Sequence, residues 1–559
     1  MAVYQHDVLI IGAGLAGMRA GLAAQAEGAD VAIITKVHPV RSHSNAAQGG
    51  INAAVDEDDT WEDHAFDTVK GSDFLGDQDA IEVLCSEAGQ AVLEMERMGV
   101  IFHRGEDGKL GSRAFGGQQR ARTYFVGDIT GQALLHVMYE QLIKHGLRVY
   151  EEWFVTDVIM EEGIAKGVVA MDIRTGELSV IGARAIIFAT GGMWRVYEPS
   201  TNALICTGDG ISLAYRAGCQ IMDMEMVQFH PTTLKGSGVL ITEGARGEGA
   251  YLLNAAGERF MEKYAPNMME LASRDVVSRA EQTEINEGRG VDGCVLLDMR
   301  HLGMDVIRER LWQIREIGID FKGIDIVEEP IPILPGMHYI MGGIKTDVWG
   351  KTNVPGIYAA GETACVSVHG ANRLGANSLL DTIVFGRRSG MDAAQRARQQ
   401  HFIMPDDRYA KATEKRLRTI LDRPANGERI ANIRQDMGRT MNAKVQVFRE
   451  DEALKSALVD VQALKKRYET VPVESKGKVF NTDLLFHIEL GFMIDSAEMV
   501  CASAIERKES RGAHSRIDFP ARDDANWLHH IALTYGERGP QQSKLPVTIT
   551  QWEPVERKY

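Results

Sequence analysis

Cysteines are few in this chain, and none has the spacing of a metal or cluster ligand set. Six cysteines are scattered through the 559 residues, and no two of them form a Cys-x-x-Cys pair. The sequence therefore predicts no metal site and no iron–sulfur cluster held by the chain itself. Reduced, buried thiols are the expected state of such cysteines in a cytosolic protein.

The chain also lacks an excess of positive charge and a long apolar run. Its 62 Lys and Arg residues against 78 Asp and Glu residues give a net charge of −16, which argues against a nucleic-acid partner. No apolar stretch approaches the ~20 residues of a membrane span, and the first residues lack the features of a signal peptide. We therefore expect any membrane association to depend on a partner.

Glycines, in contrast, stand where a dinucleotide-binding turn needs them. The sequence Gly-Ala-Gly-Leu-Ala-Gly begins at Gly12, follows an apolar run and precedes a helical pattern. In that setting Gly12 allows the tight turn, Gly14 lets the backbone approach a pyrophosphate, and Gly17 lets helix pack on strand. A second glycine-rich strand end, residues 356–362, lies far along the chain. Together they predict a dinucleotide site assembled from both ends of the sequence, with a large insertion between them.

The strand pattern predicts an α/β fold with a doubly wound parallel sheet. Apolar runs at residues 8–11, 31–34 and 185–189 each end in turn residues, which is typical of parallel strands in such a sheet. The second run is followed by Thr35 and Lys36, where an NAD site usually has an acidic residue for the ribose hydroxyls. This pair argues against a plain NAD site.

Several later segments place His or Arg among small residues and turns. Taken singly, each has an ordinary explanation; Arg274, for example, could pair with Asp275 or Glu270 on a helix face. Arg373, between small residues, is harder to explain as a solvated charge. Two arginines and two histidines that converge would suit a small dianion, because Arg binds a carboxylate through two parallel hydrogen bonds.

Together these segments closely resemble the flavoprotein subunit of succinate dehydrogenase and fumarate reductase, of respiratory complex II. The resemblance covers nearly the whole chain. Its segments, in order, are 41–43 (Arg-Ser-His), 47–50 (Ala-Gln-Gly-Gly), 70–73, 76–79, 115–117 (Phe-Gly-Gly), 207–210, 228–232 (Gln-Phe-His-Pro-Thr), 246–249, 369–374 and 509–516.

The resemblance implies FAD as the cofactor, bonded covalently to the ring of His43. It also implies the residues that hold the cofactor, which are Gly12, Gly14, Gly17, Thr35, Lys36, Ser42, His43, Gln48, Gly49, Gly50, Asp209, Glu362, Ser378 and Leu379. A Thr-Lys pair after the second strand is close to what this family carries.

The resemblance further implies the residues that would bind and convert a dicarboxylate. His230, Thr242, His338 and Arg373 would hold it, and Phe115 would form a wall of the pocket. Arg274 would transfer the proton, with Glu243 and Arg246 as its relay. The residue types alone favour His230 as the acid–base, because a guanidinium is normally always protonated. The two assignments stand here as alternatives.

The resemblance implies five segments along the chain, two of which form one domain. A Rossmann-like FAD-binding domain (1–225 and 336–395) is interrupted by an α+β capping domain (226–335), and a helical domain (396–510) and an extended tail (511–559) follow. The implied partners are an iron–sulfur subunit and, through it, membrane-anchor subunits. They would place the chain peripherally on the cytoplasmic side of the inner (plasma) membrane.

The implied activity is the interconversion of succinate and fumarate, with electrons exchanged with the iron–sulfur subunit and a quinone pool. The sequence leaves the physiological direction open. The alternative enzyme is an L-aspartate oxidase-like flavoenzyme, although such enzymes carry a glutamate where this chain has Phe115. A non-catalytic flavin-binding subunit is the alternative of another class.

Overall fold

The computed structural model of the chain describes residues 3–558, which fold around a seven-stranded sheet. The strands are β1 (Val3–Ile11), β2 (Val31–Thr35), β3 (Ile51–Asn52), β4 (Ser112–Arg113), β5 (Thr123–Tyr124), β6 (Arg148–Glu151), β7 (Trp153–Glu161), β8 (Ile164–Asp172), β9 (Glu177–Phe188), β10 (Ile221–Met222), β11 (Val227–Leu234), β12 (Tyr251–Leu253), β13 (Val295–Asp298), β14 (Ile331–Ile340), β15 (Gly343–Lys345), β16 (Ile357–Ala359), β17 (Ala364–Cys365), β18 (Phe448–Arg449), β19 (Ser515–Arg516), β20 (His529–Thr534) and β21 (Gln541–Pro546).

The α-helices cover the faces of this sheet and predominate between residues 377 and 506. They are α1 (Leu15–Ala26), α2 (Trp61–Gly71), α3 (Gln78–Met98), α4 (Thr130–Lys144), α5 (Asp209–Arg216), α6 (Glu243–Gly247), α7 (Met261–Tyr264), α8 (Arg274–Asn286), α9 (Gly303–Arg310), α10 (Trp312–Lys322), α11 (Asn377–Gln399), α12 (Arg408–Leu421), α13 (Ile430–Lys444), α14 (Asp451–Thr470), α15 (Thr482–Glu506) and α16 (Asp524–Trp527).

The central sheet brings distant parts of the sequence side by side. Strands β6, β2, β1 and β9 are parallel neighbours, and β8 and β7 continue the sheet in antiparallel fashion. Strand β16 pairs in parallel with the last residues of β9, so the carboxyl ends of β1, β2, β9 and β16 share one edge. The doubly wound α/β fold predicted from the sequence is thus confirmed, and its ligand-binding edge contains both glycine-rich strand ends.

Two glycines fix the first turn. Gly12 has φ +109°, and a Cβ there would lie 2.2 Å from the carbonyl oxygen of Ala189. A Cβ on Gly17 would lie 2.0 Å from the carbonyl oxygen of Gly12. Side chains at these positions would therefore push α1 off the sheet, which is the packing role that the sequence pattern predicts for Gly12 and Gly17.

Helix α11 packs closely against α1 through glycines of its own. Cβ atoms on Gly386 and Gly390 would lie 2.7 Å and 2.2 Å from the backbone oxygens of Ala16 and Ala20. This close approach sets the two helices side by side. Residues at both helix N-termini, Leu15 and Ser378 among them, line the same cavity.

A separate four-stranded antiparallel sheet, in the order β11-β14-β13-β12, is built from the inserted part of the chain. It has its own hydrophobic core with α6–α10. Strands β11 and β14 pair so that His230 lies opposite Gly336, and the register shifts on both sides of the Phe229–His230 pair. These irregularities place His230 and His338, from different strands, on one side of the sheet.

The helical region and the tail enclose the rest of the body. Helix α15 is almost entirely buried, and Leu454, Val461 and Leu464 of α14 are buried against the same core. The tail does more than extend over the surface. Its strands β20 and β21 form a hairpin, and β20 pairs with β10, which pairs in turn with β15. Among residues 3–558, no helix combines the length and the hydropathy needed to cross a bilayer.

Buried ion pairs attach this tail to the body. Arg557 contacts Asp275, at the start of α8, with 2.6 Å between Nη2 and Oδ2, and also pairs with Asp73 at 3.0 Å. His530 of β20 is buried between two carboxylates, with Nδ1 2.7 Å from Asp223 Oδ2 and Nε2 3.4 Å from Asp77 Oδ1. Burial opposes the charge, but Asp223 and Asp77 raise the pKa of His530 to about 10.

This raised pKa links stability to pH. The charged His530 stabilises the fold fully below its unfolded pKa of ~6.5, and the contribution is lost as pH rises toward about 10. We expect the unfolding free energy of wild type to exceed that of His530→Gln by ~2–4 kcal/mol near pH 6. The difference should shrink steadily between pH ~6.5 and ~10.

Denaturant unfolding of both proteins across this pH range measures the difference. The exposed His136, substituted as His136→Gln, is the control and should show no such pH dependence. If the difference in unfolding free energy between wild type and His530→Gln grew with pH, His530 would not be charged in the folded protein.

Candidate active site

A large cavity lies between the carboxyl edge of the central sheet and the four-stranded sheet. Its empty volume, including the open mouth, is about 1610 Å³. Nearly all the residues that the sequence predicts for the site line it, which are Gly12, Gly14, Thr35, Lys36, Ser42, His43, Gln48, Gly49, Gly50, Phe115, Asp209, His230, Thr242, Glu243, Arg274, His338, Glu362, Arg373, Ser378 and Leu379. The two exceptions are Gly17, packed under the turn, and Arg246, buried behind Glu243.

The half of the cavity at the sheet edge fits a dinucleotide. The N-termini of α1 and α11 both reach it, and helix N-termini favour phosphate. Ser42 Oγ and Gln48 Oε1 are buried there without a hydrogen-bond partner among residues 3–558. Buried polar atoms are normally satisfied, so these two match a polar cofactor such as FAD. A Cβ added to Gly14 would lie 3.3 Å from the hydroxyl oxygen of Ser44 and 3.6 Å from that of Ser42.

Lys36 is the charged centre of this half. Its Nζ donates to Asp209 Oδ2 at 2.6 Å, to Glu489 Oε1 at 2.6 Å and to Thr207 Oγ1 at 2.9 Å. Burial opposes the charge, but the two carboxylates raise the pKa of Lys36 above its ordinary value. The sequence analysis did not select Glu489, because α15 carries several other carboxylates and nothing in its sequence separates Glu489 from them.

The segment that carries His43 runs along the cavity wall. The Ala203 N–H donates to His43 Nδ1 at 3.3 Å. Nε2 is therefore the ring nitrogen that does not take part in this hydrogen bond. Burial, together with Arg195, lowers the pKa of His43 to about 4. The ring is therefore neutral at physiological pH.

Phe115 and Arg113 shape the next turn of this segment. A Cβ on Gly49 would lie 2.7 Å from the ring of Phe115, so only glycine fits beneath that ring. Arg113 Nε donates to the Gly49 carbonyl at 3.1 Å, and its guanidinium lies 4.2 Å from the centre of the Phe125 ring. The sequence analysis did not select Arg113.

Two neutral histidines face each other where the cavity meets the four-stranded sheet. The ring centres of His230 and His338 lie 4.8 Å apart. Burial and the nearby Arg274 hold the pKa of both well below the ordinary value. The Thr232 N–H donates to His230 Nδ1 at 3.2 Å, so the ring proton of His230 is on Nε2 and can be donated to a ligand.

Arg373 supplies positive charge opposite these rings. Its Nη1 donates to Ser378 Oγ at 2.8 Å, and its guanidinium lies 4.2 Å from the centre of the Tyr339 ring. Its Nε is buried with no hydrogen-bond partner among residues 3–558. Burial and the charge of Arg274 lower its pKa. A bound carboxylate would oppose both effects and satisfy the unpartnered donor.

Arg274 and Glu243 form a close ion pair in the cavity. Arg274 Nε donates to Glu243 Oε2 at 2.6 Å, and its Nη1 donates to Gln228 Oε1 at 3.1 Å. The Gly116 N–H donates to Glu243 Oε1 at 2.7 Å. Burial opposes ionisation, but Arg274 and Arg246 lower the pKa of Glu243. Glu243 is therefore a carboxylate, and Arg246 Nη2 lies 3.8 Å from its Oε1.

Thr242 completes the set at the start of α6. Its hydroxyl oxygen accepts the N–H of Gly244 at 3.0 Å and so caps the helix that carries Glu243 and Arg246. A dinucleotide-binding edge beside a pocket of arginines and neutral histidines defines a flavin-type oxidoreductase acting on a small anion.

Comparisons with known proteins agree with this class. The family described as "FAD binding domain" matches residues 7–379, and "Fumarate reductase flavoprotein C-term" matches residues 434–559. The chain is 45% identical to the succinate dehydrogenase flavoprotein subunit of Rickettsia conorii, over 98% of this chain and 96% of that protein. It is 43% identical to the fumarate reductase flavoprotein subunit of Mycobacterium tuberculosis, over 99% of both.

Solved structures show the same similarity. The chain matches the flavoprotein of E. coli quinol fumarate reductase with a TM-score of 0.97 and 39% identity, over 100% of this chain and 99% of that one. The chain therefore belongs to the family of succinate dehydrogenase and fumarate reductase flavoprotein subunits. The predicted FAD cofactor is confirmed, and the L-aspartate oxidase alternative is not favoured.

The unpartnered donor of Arg373 leads to a binding prediction. We expect Arg373→Ala to weaken binding of malonate, a small dicarboxylate, by ~2–5 kcal/mol, the range for removing one partner of a buried charge pair. Isothermal titration of the FAD-loaded protein measures this. Arg387→Ala, which removes a partly exposed arginine of α11 that pairs with Glu94, should retain wild-type affinity. Unchanged affinity in Arg373→Ala would place Arg373 outside the binding site.

Proposed function

We propose that this cavity is where the chain interconverts succinate and fumarate, with the residues in the roles below. The observation that supports it most is the Arg274–Glu243 pair, at 2.6 Å, in the same cavity as His230, His338 and Arg373. FAD, when bound, supplies the hydride acceptor or donor. The protein's own groups must then hold two carboxylates and move one proton.

The carboxylates are held by donors of two kinds. Arg373 offers charge and a bidentate fork, while His230 and His338 are neutral and donate hydrogen bonds without adding charge. Thr242 and Phe115 close the other sides. Donors arranged in advance around a developing negative charge stabilise the transition state more than the ground state.

Arg274 is the proton-transfer group that we propose, with Glu243 and Arg246 as its relay. The low pKa of His230 makes that ring a weak proton acceptor, which counts against the alternative acid–base assignment. Arg274, in contrast, is hydrogen-bonded to a carboxylate that can exchange a proton with it. Arg246 stands on the other side of that carboxylate.

His43 is the residue that we propose to carry FAD covalently. Its neutral ring lines the cavity, and Nε2 is the nitrogen not engaged by the backbone of Ala203. The remaining predicted cofactor residues would hold FAD along the sheet edge, from the Gly12–Gly17 turn to Glu362.

Partners and domain boundaries are proposals as well. Electrons would pass to or from an iron–sulfur subunit and, through membrane-anchor subunits, a quinone pool, since one similar solved structure is a quinol-fumarate reductase with menaquinol molecules. These partners would hold the chain peripherally on the cytoplasmic side of the inner membrane. We propose domains at 1–225 with 336–395 (FAD-binding), 226–335 (capping), 396–510 (helical) and 511–559 (tail); the separate core of the four-stranded sheet supports the capping unit.

Arg274→Lys tests the proton-transfer assignment. Lysine keeps the positive charge but loses the fork that joins Glu243 and Gln228. We expect turnover with succinate or fumarate to fall ~10²–10⁴-fold, while FAD content and malonate affinity stay near wild type. The matched control is Arg279→Lys, on the same helix and paired with Asp275, which should keep near-normal turnover. Activity of Arg274→Lys within a few-fold of wild type would move the role to His230.

His43→Ser tests the covalent attachment. Denatured wild type should keep a fluorescent flavin band on a gel, and His43→Ser should bind FAD but lose that band. Attachment should make the flavin a better electron acceptor, and each 30 mV corresponds to ~1.4 kcal/mol. The variant should therefore lose succinate oxidation far more than fumarate reduction. His38→Ser, outside the cavity lining, is the control that should keep the band; loss of flavin from denatured wild type would refute the assignment.

A further inference from the structure

One buried carboxylate near the site has no role in the function proposed above. Glu281 lies on α8, two helical turns beyond Arg274 and on the same face of the helix. Its side chain is fully buried, and neither carboxyl oxygen has a hydrogen-bond partner among residues 3–558. An unsatisfied buried carboxyl group is costly, so its position calls for a functional reason.

Neighbouring buried carboxylates are all satisfied. Glu243 is bonded to Arg274, and Asp275 to Arg557. Glu284, one turn beyond Glu281, accepts hydrogen bonds from Tyr264 and Arg289. Glu281 therefore differs from the other acids of this helix, although the sequence pattern alone does not separate it from them.

Arg246 is the charged group that interacts with Glu281. The two interact electrostatically, each acting on the other's pKa, but they form no direct ion pair. Arg246 Nη1 donates to the Glu270 carbonyl at 2.5 Å, whereas its Nε and Nη2 are buried without a hydrogen-bond partner among the described residues. Arg246 Nη2 thus lies 3.8 Å from Glu243 Oε1. Its Nε and Nη2 still have N–H groups that could donate hydrogen bonds to a second group.

We propose that Glu281 extends the proton relay to Arg274–Glu243–Arg246–Glu281 and holds the proton at its inner end. One buried water, bonded to Arg246 and to a Glu281 oxygen, would satisfy both groups and connect them. This inference rests on the proposed function of the cavity. Glu281 acts through Arg246 and does not touch the substrate, so it is a positioning and relay residue.

The protonation of Glu281 agrees with this role. Burial raises its pKa well above the ordinary value, and Arg246 opposes the shift only in part. Arg246 on α6, with Glu243 beside it, and Arg274 and Glu284 on α8 itself are the charged groups around this part of the relay. A neutral carboxylic acid can donate the proton that a carboxylate in the same place could not.

The proton balance is simple in both directions. In fumarate reduction, Arg274 gives one proton to the substrate carbon. The Glu243 carboxylate takes a proton from Arg246 and passes it to Arg274, while the O–H bond of Glu281 breaks and its proton restores Arg246. In succinate oxidation the same four transfers run in reverse, and Glu281 receives the proton. Between turnovers Glu281 regains or releases this proton by exchange with solvent.

Glu281→Gln tests the relay, because glutamine keeps the shape but cannot carry the proton. In the FAD-loaded protein we expect kcat for fumarate reduction to fall at least ~10-fold, the solvent deuterium isotope effect on kcat to increase, and malonate affinity to stay unchanged. Glu281→Asp, which keeps a titratable group, should recover part of the rate and shift the pH profile of kcat.

The matched control is Glu284→Gln, on the same helix. It loses the bond to Arg289 and should lose stability, but its isotope effect should equal that of wild type. A wild-type kcat and isotope effect in Glu281→Gln would overturn the relay. If that variant does not fold, a pH profile of Glu281→Asp identical to wild type would overturn it instead. Failure of the proposed function is distinct, since wild type itself would then turn over neither succinate nor fumarate.

Discussion

The buried contact between Arg274 and Glu243 is the interaction on which the rest of the site depends. Three guanidinium groups, of Arg246, Arg274 and Arg373, lie within one poorly solvated region, and their mutual repulsion and desolvation would be prohibitive without a counter-charge. Glu243 supplies it, and backbone atoms approach so closely that Gly116 admits no side chain, since a Cβ there would lie 2.5 Å from Oε1. The backbone can therefore approach this ion pair so closely only because position 116 is a glycine.

The distant ends of the chain stabilise the position of this pair. Helix α8 carries Arg274, and the next residue, Asp275, is held by Arg557 of the tail and by Arg279. Burial opposes ionisation of Asp275, but these arginines hold its pKa below the ordinary value. A segment without clear periodicity in the sequence therefore fixes the N-terminus of the helix that carries Arg274, the residue that we propose for proton transfer. Truncating that segment would leave Asp275 buried with fewer counter-charges.

Sequence patterns predicted the features that depend on local backbone geometry. The turn from Gly12 to Gly17 and the parallel strands follow from glycine and apolar spacing, and the resemblance supplied the residues that the structure gathers in one cavity. Glu489, Arg113 and Glu281 were not found, because their contacts join residues far apart in sequence. Glu489, for example, reaches Lys36 across more than four hundred residues. Strands β20 and β21 were also missed, because β21 is polar and β20 is a short segment whose strand pairing with β10 joins residues far apart in sequence.

The protonation states divide the work of the site between two kinds of side chain. Burial and the cation-rich surroundings keep His230 and His338 neutral, so they can orient carboxylates but are poor proton carriers. The same surroundings keep Glu243 ionised and able to accept a proton from a guanidinium. In the mechanism that we propose, a proton that leaves the substrate therefore travels along alternating arginines and carboxyl groups, away from the histidines. In that mechanism, substrate binding and proton movement use separate walls of one cavity, and the positive charge that holds the dianion also determines where its proton goes.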